Sequence, residues 1–429
     1  MFIKQLKILF FLSIIFFLSQ SCDEDPEVSG RTSSKKNIII NPSITYQTIS
    51  GFGGANQMWG TQFPNATEME KAFGSGIDNL GLSIFRVRIS SNPNEWPLIV
   101  DVAKEAKKYG AKILASPWSP PPSLKSNNNE VGGYLLEENY AAFTQHINDF
   151  VDYMDDNGVE IDAISIQNEP DIEVSYESCD WTAPEMRDFL KSQGSNISNV
   201  KIAAPESFNF NQSYTNLLLN DEDAANEIDI VAGHIYGGGQ AAYPLAEQLE
   251  KEIWMTEYLL NLNVGDWENA EDATKWDETL TMLNTIHTAM ENNWNAYIWW
   301  YLKRYYSFIG DGDEGTTEGE ILKRGYAFSH FSKFVRPGYK RVNIEDVENT
   351  GLEITAYYGE DNVVVVIINS STEAIGDINL QISNLPVVSA QSYTTTLSKN
   401  LEEKELTVTN GEISNTILAN SVTTVVLSL

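Results

Sequence analysis

The sequence predicts an α/β fold, a closed (β/α)8 barrel of the TIM type followed by an antiparallel β-sandwich. Three observations predict it. Between residues 47 and 334, short apolar runs alternate with longer segments of helical period, the pattern of strands joined by helices. The apolar runs do not alternate with polar residues, so their strands are buried on both faces, as in a parallel sheet. After Pro337 the helical period disappears, and short β-rich runs separated by turn clusters take over.

The elements follow in order. GFGG at 51–54 supplies the first barrel strand and SIFRVRI at 83–89 the second. A helix over 99–109 leads to the strand AKILAS at 111–116. A helix over 140–157 stops at Gly158, where the chain needs a residue free to adopt positive φ. Residues 163–167 form the next strand. Pro184 opens a helix with Thr182 as its cap. Residues 201–204, 228–232 and 253–256 are further strands. A helix over 274–292 precedes the eighth, 296–300. Beyond the barrel, strands are expected within 342–357, 362–369, 378–385, 392–397, 406–408 and 422–427. Ile38 to Ile40 also reads as a strand and is expected to join them. The predicted organisation is a signal peptide at 1–21, a flexible tether at 22–36, a strand of the β-sandwich at 37–46, the barrel at 47–334 and the sandwich at 335–429.

The first residues read as an export signal. Lys4 and Lys7 precede an apolar run over 8–18 that is too short for a bilayer span. Cys22 follows it, then Asp23, Glu24 and Asp25. This arrangement resembles the lipoprotein signals of Bacteroidetes, which implies lipidation of Cys22 and display at the outer membrane or cell surface. Simple secretion or a periplasmic location is the alternative. Only Cys22 and Cys179 are present, so a lipidated Cys22 leaves no intrachain disulfide, and the fold must rest on its core. Sixty Asp and Glu against 28 Lys and Arg argue against nucleic acid and anionic membranes as partners.

Two apolar runs end on glutamates. ISIQNEP at 164–170 carries Glu169 and IWMTEY at 253–258 carries Glu257. At the C-terminal ends of two barrel strands, both carboxylates face one mouth, where such barrels keep their catalytic groups. A carboxylate pair is what glycosidic-bond cleavage requires: one protonates the leaving oxygen, the other attacks the sugar carbon or activates water. The acid must hold a proton beforehand, so its carboxyl is expected to be raised by burial and by its neighbour's charge. His234 and Tyr236 fall at the end of the sixth strand and are expected to face the site. Trp118 and Trp300 suit stacking on a pyranose, and Trp299, of opposite direction, suits packing under the helices.

These segments carry a family resemblance. QTISGFGG at 47–54, FRVRI at 85–89, ASPWSPP at 115–121, SIQNEPD at 165–171, WMTE at 254–257, YIWWY at 297–301 and KRGY at 323–326, running to FVRPG at 334–338, resemble glycoside hydrolase family 30, and within it the xylanase-type subfamily 8. The resemblance covers nearly all of the chain after the signal. It implies a side-associated β-sandwich and retaining hydrolysis of a β-linked polysaccharide; the expected activity is that of an endo-acting β-1,4-xylanase, and the protein is expected to be a monomer that uses no metal or cofactor. The resemblance implies Glu169 as acid/base, Glu257 as nucleophile, Asn168 as a ligand of the sugar 2-hydroxyl, and Arg88 against the nucleophile. A barrel-interior ion pair is the other reading of Arg88. Other activities on this scaffold, a β-1,6-glucanase or an exo-acting xylobiohydrolase, stay open, as does a non-catalytic surface glycan-binding lipoprotein.

In glucuronoxylan-specific relatives, an Arg and a Tyr after the eighth strand bind a glucuronate branch. Arg304 and Tyr306 match those positions. The relatives' Tyr and Ser after the nucleophile are replaced here by leucines, and GDGDEGTTEGE at 310–320 is unusually acidic. Pairing with that loop is the alternative task for Arg304. The pattern at Asp311 and Asp313 lacks the spacing of a calcium loop.

Overall fold

The computed structural model describes residues 36–60, 62–262, 267–345, 347 and 350–429. The expected signal peptide, Cys22 and the tether up to residue 35 lie outside them.

The first strand, β1 (Lys36–Thr48), belongs to the C-terminal β domain. Eight parallel strands then close the barrel in sequence order: β2 (Gly51–Ala55), β3 (Ile84–Ile89), β4 (Lys112–Pro117), β5 (Ala163–Ser165), β6 (Lys201–Ser207), β7 (Ile230–His234), β8 (Glu252–Glu257) and β9 (Ala296–Trp299), which pairs back onto β2. All eight expected strands are there. Each is buried on both faces, which is why its apolar run does not alternate. On β3, Phe85, Val87 and Ile89 point outward into the core under the helices. Ile84 points inward, with Leu114, Ala163, Ile230, Trp254 and Ile298, and plugs the lower barrel. Arg86 and Arg88 share the inward face with Ile84 in successively higher layers, because strand direction repeats every two residues.

The helices start and stop where the sequence signals it. Thr182 accepts from Glu185 N, and the Glu185 side chain accepts from Thr182 N, a capping box on the helix Ala183–Gln193. The helix Tyr140–Asp156 ends just before Gly158, which has φ 78°.

The β domain comprises β1 and nine later strands: β10 (Lys340–Glu345), β11 (Glu353–Tyr358), β12 (Asn362–Asn369), β13 (Ile375–Ile382), β14 (Ser389–Thr395), β15 (Glu402–Leu406), β16 (Val408–Thr409), β17 (Glu412–Ile417) and β18 (Ser421–Ser428). They form one sheet in the order β15-β14-β18-β12-β11-β10-β1-β13-β17-β16, folded over its own apolar core. The pairing is antiparallel except for β1 with β13, which run parallel in the register Ile38 to Leu380. Several details differ from the sequence expectation: the β1–β13 pair is parallel, and β15 starts at Glu402, ahead of the run expected at 406–408. β1 lies inside the sheet, between β10 and β13, and β17 was not anticipated.

β12 shows how the two parts are joined. Val363, Val365 and Ile367 face the core of the β domain, whereas Val364, Val366 and Ile368 join the core around the barrel. The stretch VVVVII at 363–368 is apolar throughout because neither face meets water. His330, on the helix Lys323–Ser332, bonds Thr424 Oγ1 and Thr395 Oγ1 at 2.8 Å each across the same junction. Burial pushes its imidazole down to about 3, so it stays neutral there.

Candidate active site

At the C-terminal ends of the barrel strands lies a cleft of about 370 Å³, lined by Trp59, Trp118, Glu169, Tyr176, Phe208, Tyr236, Glu257, Leu259 and Trp300. A larger cavity of about 640 Å³ opens on the β domain beside Tyr339 and Tyr358. Among the described residues its carboxylates are Glu360 and Asp361, exposed neighbours on one turn that do not face each other across the cavity as a reacting pair.

The cleft's floor is built on three buried glutamates from three strand ends. Glu169 follows β5 in the left-handed region, at φ 49°, with its N–H donated to Glu206 O. Glu206, on β6, also has positive φ, 61°, and is fully buried. Glu257 ends β8. Non-glycine residues held at positive φ are costly, and two on adjacent strand ends mark a site whose geometry is imposed by its surroundings.

Two cations hold the three carboxylates. Arg86 Nη1 donates to Glu257 Oε2 at 2.6 Å. Its Nη2 donates to Asn168 Oδ1 at 2.7 Å and lies 3.1 Å from Glu206 Oε1. The guanidinium also sits 4.8 Å from the Trp118 ring centre. His234 Nδ1 lies 3.0 Å from Glu169 Oε1, and its Nε2 lies 3.8 Å from Glu206 and 3.9 Å from Glu257. Two hydroxyls complete the set: Tyr176 donates to Glu169 Oε2 at 2.6 Å and Tyr236 to Glu257 Oε1 at 3.1 Å.

The electrostatics follow from this packing. Burial works against the His234 charge, but Glu257, Glu169 and Glu206 outweigh it and push the imidazole up to about 9. Burial raises Glu206, yet Arg86 and His234 bring it down to about 2. Burial also raises Glu169, and the imidazolium, the Tyr176 hydroxyl and Arg86 overcome it, so its carboxyl lies below the ordinary value. For Glu257 burial wins: the carboxyl lies above the ordinary value despite His234 and Arg86. The raising expected of Glu169 from burial is thus opposed by its hydrogen-bonded imidazole. His234, bonded directly to it, had not been counted as a cation.

Several expected site residues converge here: Glu169, Glu257, Asn168, His234, Tyr236, Trp118 and Trp300. Trp118 is only 2% exposed and lies against Arg86, so it offers the cleft little free face. Trp299 packs outside the barrel, fully buried, as its direction implied. Trp59 and Tyr176, 37% and 41% exposed, are the open aromatic surfaces of the cleft, and the sequence did not single them out.

Arg88 is a correction. It does not touch Glu257. It pairs with Glu95 and, at 3.2 Å, with Glu177, and its guanidinium faces Trp59 at 5.7 Å. The residue against the nucleophile candidate is Arg86, one layer deeper on the same face. Arg304 and Tyr306 also differ from expectation. Arg304 Nη1 is held by Asp311 at 3.0 Å and Asp313 at 3.3 Å of its own loop. Tyr306 is 6% exposed, and neither residue lines the cleft.

Comparison with known proteins agrees with this geometry. Residues 76–304 match the glycosyl hydrolase family 30 TIM-barrel domain. The chain is 38% identical over 403 residues to glucuronoxylanase XynC of Bacillus subtilis (strain 168), covering 91% of this chain and 92% of that protein. Among solved structures, the family 30 subfamily 8 xylanase Xyn30A of Clostridium acetobutylicum superposes with a TM-score of 0.83 at 32% identity, covering 92% of this chain and all of that one. A family 30 endoxylanase of Clostridium papyrosolvens C71 gives 0.80 at 33% identity, with 92% and 100% covered. A barrel with three glutamates around one arginine, matched over nine-tenths of its length by such relatives, belongs to glycosyl hydrolase family 30.

Proposed function

We propose that this protein is an endo-acting, retaining β-1,4-xylanase in which Glu257 is the nucleophile and Glu169 the acid/base. The observation that carries the stereochemistry is the spacing. One carboxylate oxygen of Glu169, one of Glu257 and a ring nitrogen of His234 all lie within 4.8 Å of one another. Retaining pairs sit about 5–5.5 Å apart, and inverting pairs about 6.5–9.5 Å, to admit a water. Glu257, oriented by Arg86 and Tyr236, attacks the anomeric carbon while Glu169 protonates the departing oxygen. Glu169 then takes a proton from the water that releases the sugar. Asn168, its Oδ1 held by Arg86, keeps its Nδ2 to donate to the 2-hydroxyl. The xylanases among the relatives support xylan as the substrate, and the complete carboxylate–cation cluster argues against a binding protein that has lost catalysis.

In this reading the enzyme does not require a glucuronate branch. Arg304 already has two carboxylates, and Leu259 presents an apolar wall after the nucleophile. The products released from glucuronoxylan, arabinoxylan and undecorated xylan test this directly. Internal cleavage of all three is expected, with rates that Arg304→Ala changes by less than about threefold, the scale of an exposed ion pair. Release of xylobiose alone from chain ends would refute endo action. A tenfold or greater loss in Arg304→Ala confined to glucuronoxylan, the scale of a lost charged hydrogen bond, would instead make Arg304 a branch reader.

The site of action is proposed as the outer membrane or cell surface, through a lipidated Cys22. The support is the sequence of the first 25 residues. In a Gram-negative host the mature protein is expected in the membrane fraction, with acyl groups on Cys22, and Cys22→Ser is expected to release or mislocalise it. A variant that fractionates like the parent would rule out lipidation.

A further inference from the structure

Glu206 has no part in the two-carboxylate scheme, yet it is the most deeply enclosed acid of the site. It is fully buried on β6, between the two cations. Its carboxylate meets the Arg86 and His234 charges at 3.1 and 3.8 Å, and the Ser165 hydroxyl also helps to hold it ionised. A buried carboxylate of this kind is costly unless its charge serves its neighbours. Those neighbours are the groups that orient Glu257 and Glu169.

We infer that Glu206 is a positioning residue that keeps His234 as an imidazolium, so that the proton used by Glu169 is stored on the His234–Glu169 pair. The inference rests on the roles proposed above for Glu169 and Glu257. The proton moves from His234 Nδ1 to Glu169 Oε1 across their 3.0 Å contact, leaving a neutral imidazole and a neutral carboxylic acid. Glu169 passes that proton to the glycosidic oxygen as the bond to the leaving sugar breaks and the Glu257 ester forms. In the second half, water attacks the anomeric carbon as its bond to Glu257 breaks and the Glu257 carboxylate is released, Glu169 accepts the water's proton, and the proton returns to His234 Nδ1. Atoms and charge balance over the cycle. The ester also removes the Glu257 charge, one of those that raise His234, so the imidazole stays neutral midway through the cycle and regains its hold on a proton when the Glu257 carboxylate is released.

Among the described residues, the charged or titratable groups facing His234 all enter this scheme. Glu169 follows β5, Glu206 lies on β6 and Glu257 on β8. Arg86 reaches in from β3 and opposes them. Tyr236 of β7 has its ring 5.9 Å away and bonds Glu257, and Tyr176 bonds Glu169. Three carboxylates against one permanent cation leave room for one more positive charge, and His234 supplies it.

The test is Glu206→Gln, which keeps the shape and removes the charge. Two readouts are needed. The first is the titration of His234 by NMR, assigned among the chain's four histidines by a His234→Gln control. In the unchanged protein its midpoint is expected near 9. In Glu206→Gln it is expected to fall by roughly one unit or more, the effect of losing one close buried charge. The second is the pH profile of kcat/KM, which reports the free enzyme. Loss of the stored proton sets the basic limb. On undecorated xylan that limb is expected to move down with His234, giving about a tenfold loss where the two profiles diverge. On a 2,4-dinitrophenyl β-xylobioside, whose leaving group needs no acid, the profile is expected to stay unchanged. A His234 midpoint near 6.5 in the unchanged protein overturns the inference even if Glu206→Gln fails to fold. So does a variant whose His234 midpoint and xylan profile both match the parent. If the unchanged protein hydrolyses neither substrate, the proposed function falls, and the two His234 midpoints still decide whether Glu206 sets its charge.

Discussion

Glu257→Ala and Glu169→Ala are each expected to lower kcat on xylan by about 10⁴-fold or more, as loss of a nucleophile or of the acid/base generally does. Both variants should remain folded. Either change leaves two carboxylates facing Arg86 and His234, so the buried cluster goes from one excess negative charge to balance. Azide separates the two roles on an activated aryl β-xyloside. In Glu257→Ala it enters the vacated space, attacks the anomeric carbon opposite the leaving group, and gives the α-azide. In Glu169→Ala the Glu257 ester still forms, and azide displaces it with a second inversion, giving the β-azide. Exchange of the two anomers between the variants would reverse the assignment, and near-native activity in either would remove that residue from the mechanism.

Most of the barrel was legible because of how it is buried. A strand covered on both faces has a continuous apolar run, and a Pro, Gly or polar cluster bounds each one, so the eight strands stood out without knowledge of their partners. Layer was not legible. Arg86 and Arg88 have the same direction, and which of them meets Glu257 depends on how far β3 rises relative to β8, a register fixed by pairing across the barrel. Glu206 was missed for a related reason. KIAAPES ends an apolar run on a glutamate just as the runs before Glu169 and Glu257 do, but Pro205 reads as the end of a strand that in fact continues to Ser207. Counting glutamates at all strand ends would have found it. The opposite charges of Arg304 and the acidic loop were visible in the sequence, and that pairing, offered as an alternative, is what the structure contains. In the β domain, the apolar residues 38–40 marked β1, but nothing local places it between β10 and β13. β17 buries Ile413 and Ile417 among polar residues and shows no clear period.

Arg86→Met is expected to damage both stability and catalysis, in a pH-dependent way. Arg86 is fully buried and is the cluster's permanent cation. Removing one partner of a buried ion pair costs about 3–5 kcal/mol, because the remaining charge has no solvent. A substantial drop in Tm at pH 7 should follow. In the unchanged protein Glu206 is depressed to about 2 in the fold, so it contributes stability above the ordinary carboxylate value that is lost as pH falls toward 2. Without Arg86 the sign reverses for the buried carboxylates. Their folded values rise above the unfolded ones, and the variant is least stable where they must ionise, at neutral pH. The Tm deficit is therefore expected to be largest near pH 7 and to shrink toward pH 4. Catalysis should follow the same proton. Glu257, already raised by burial, rises further, so the acidic limb of kcat/KM moves to higher pH, with about a hundredfold loss at its optimum from a misoriented nucleophile. Arg86→Lys restores the charge but not the fork that spans Glu257, Asn168 and Glu206, and should recover more stability than activity. A Tm deficit of equal size at pH 4 and pH 7, or an acidic limb that does not move, would mean that Arg86 fills space in the barrel and does not hold the charges of this site.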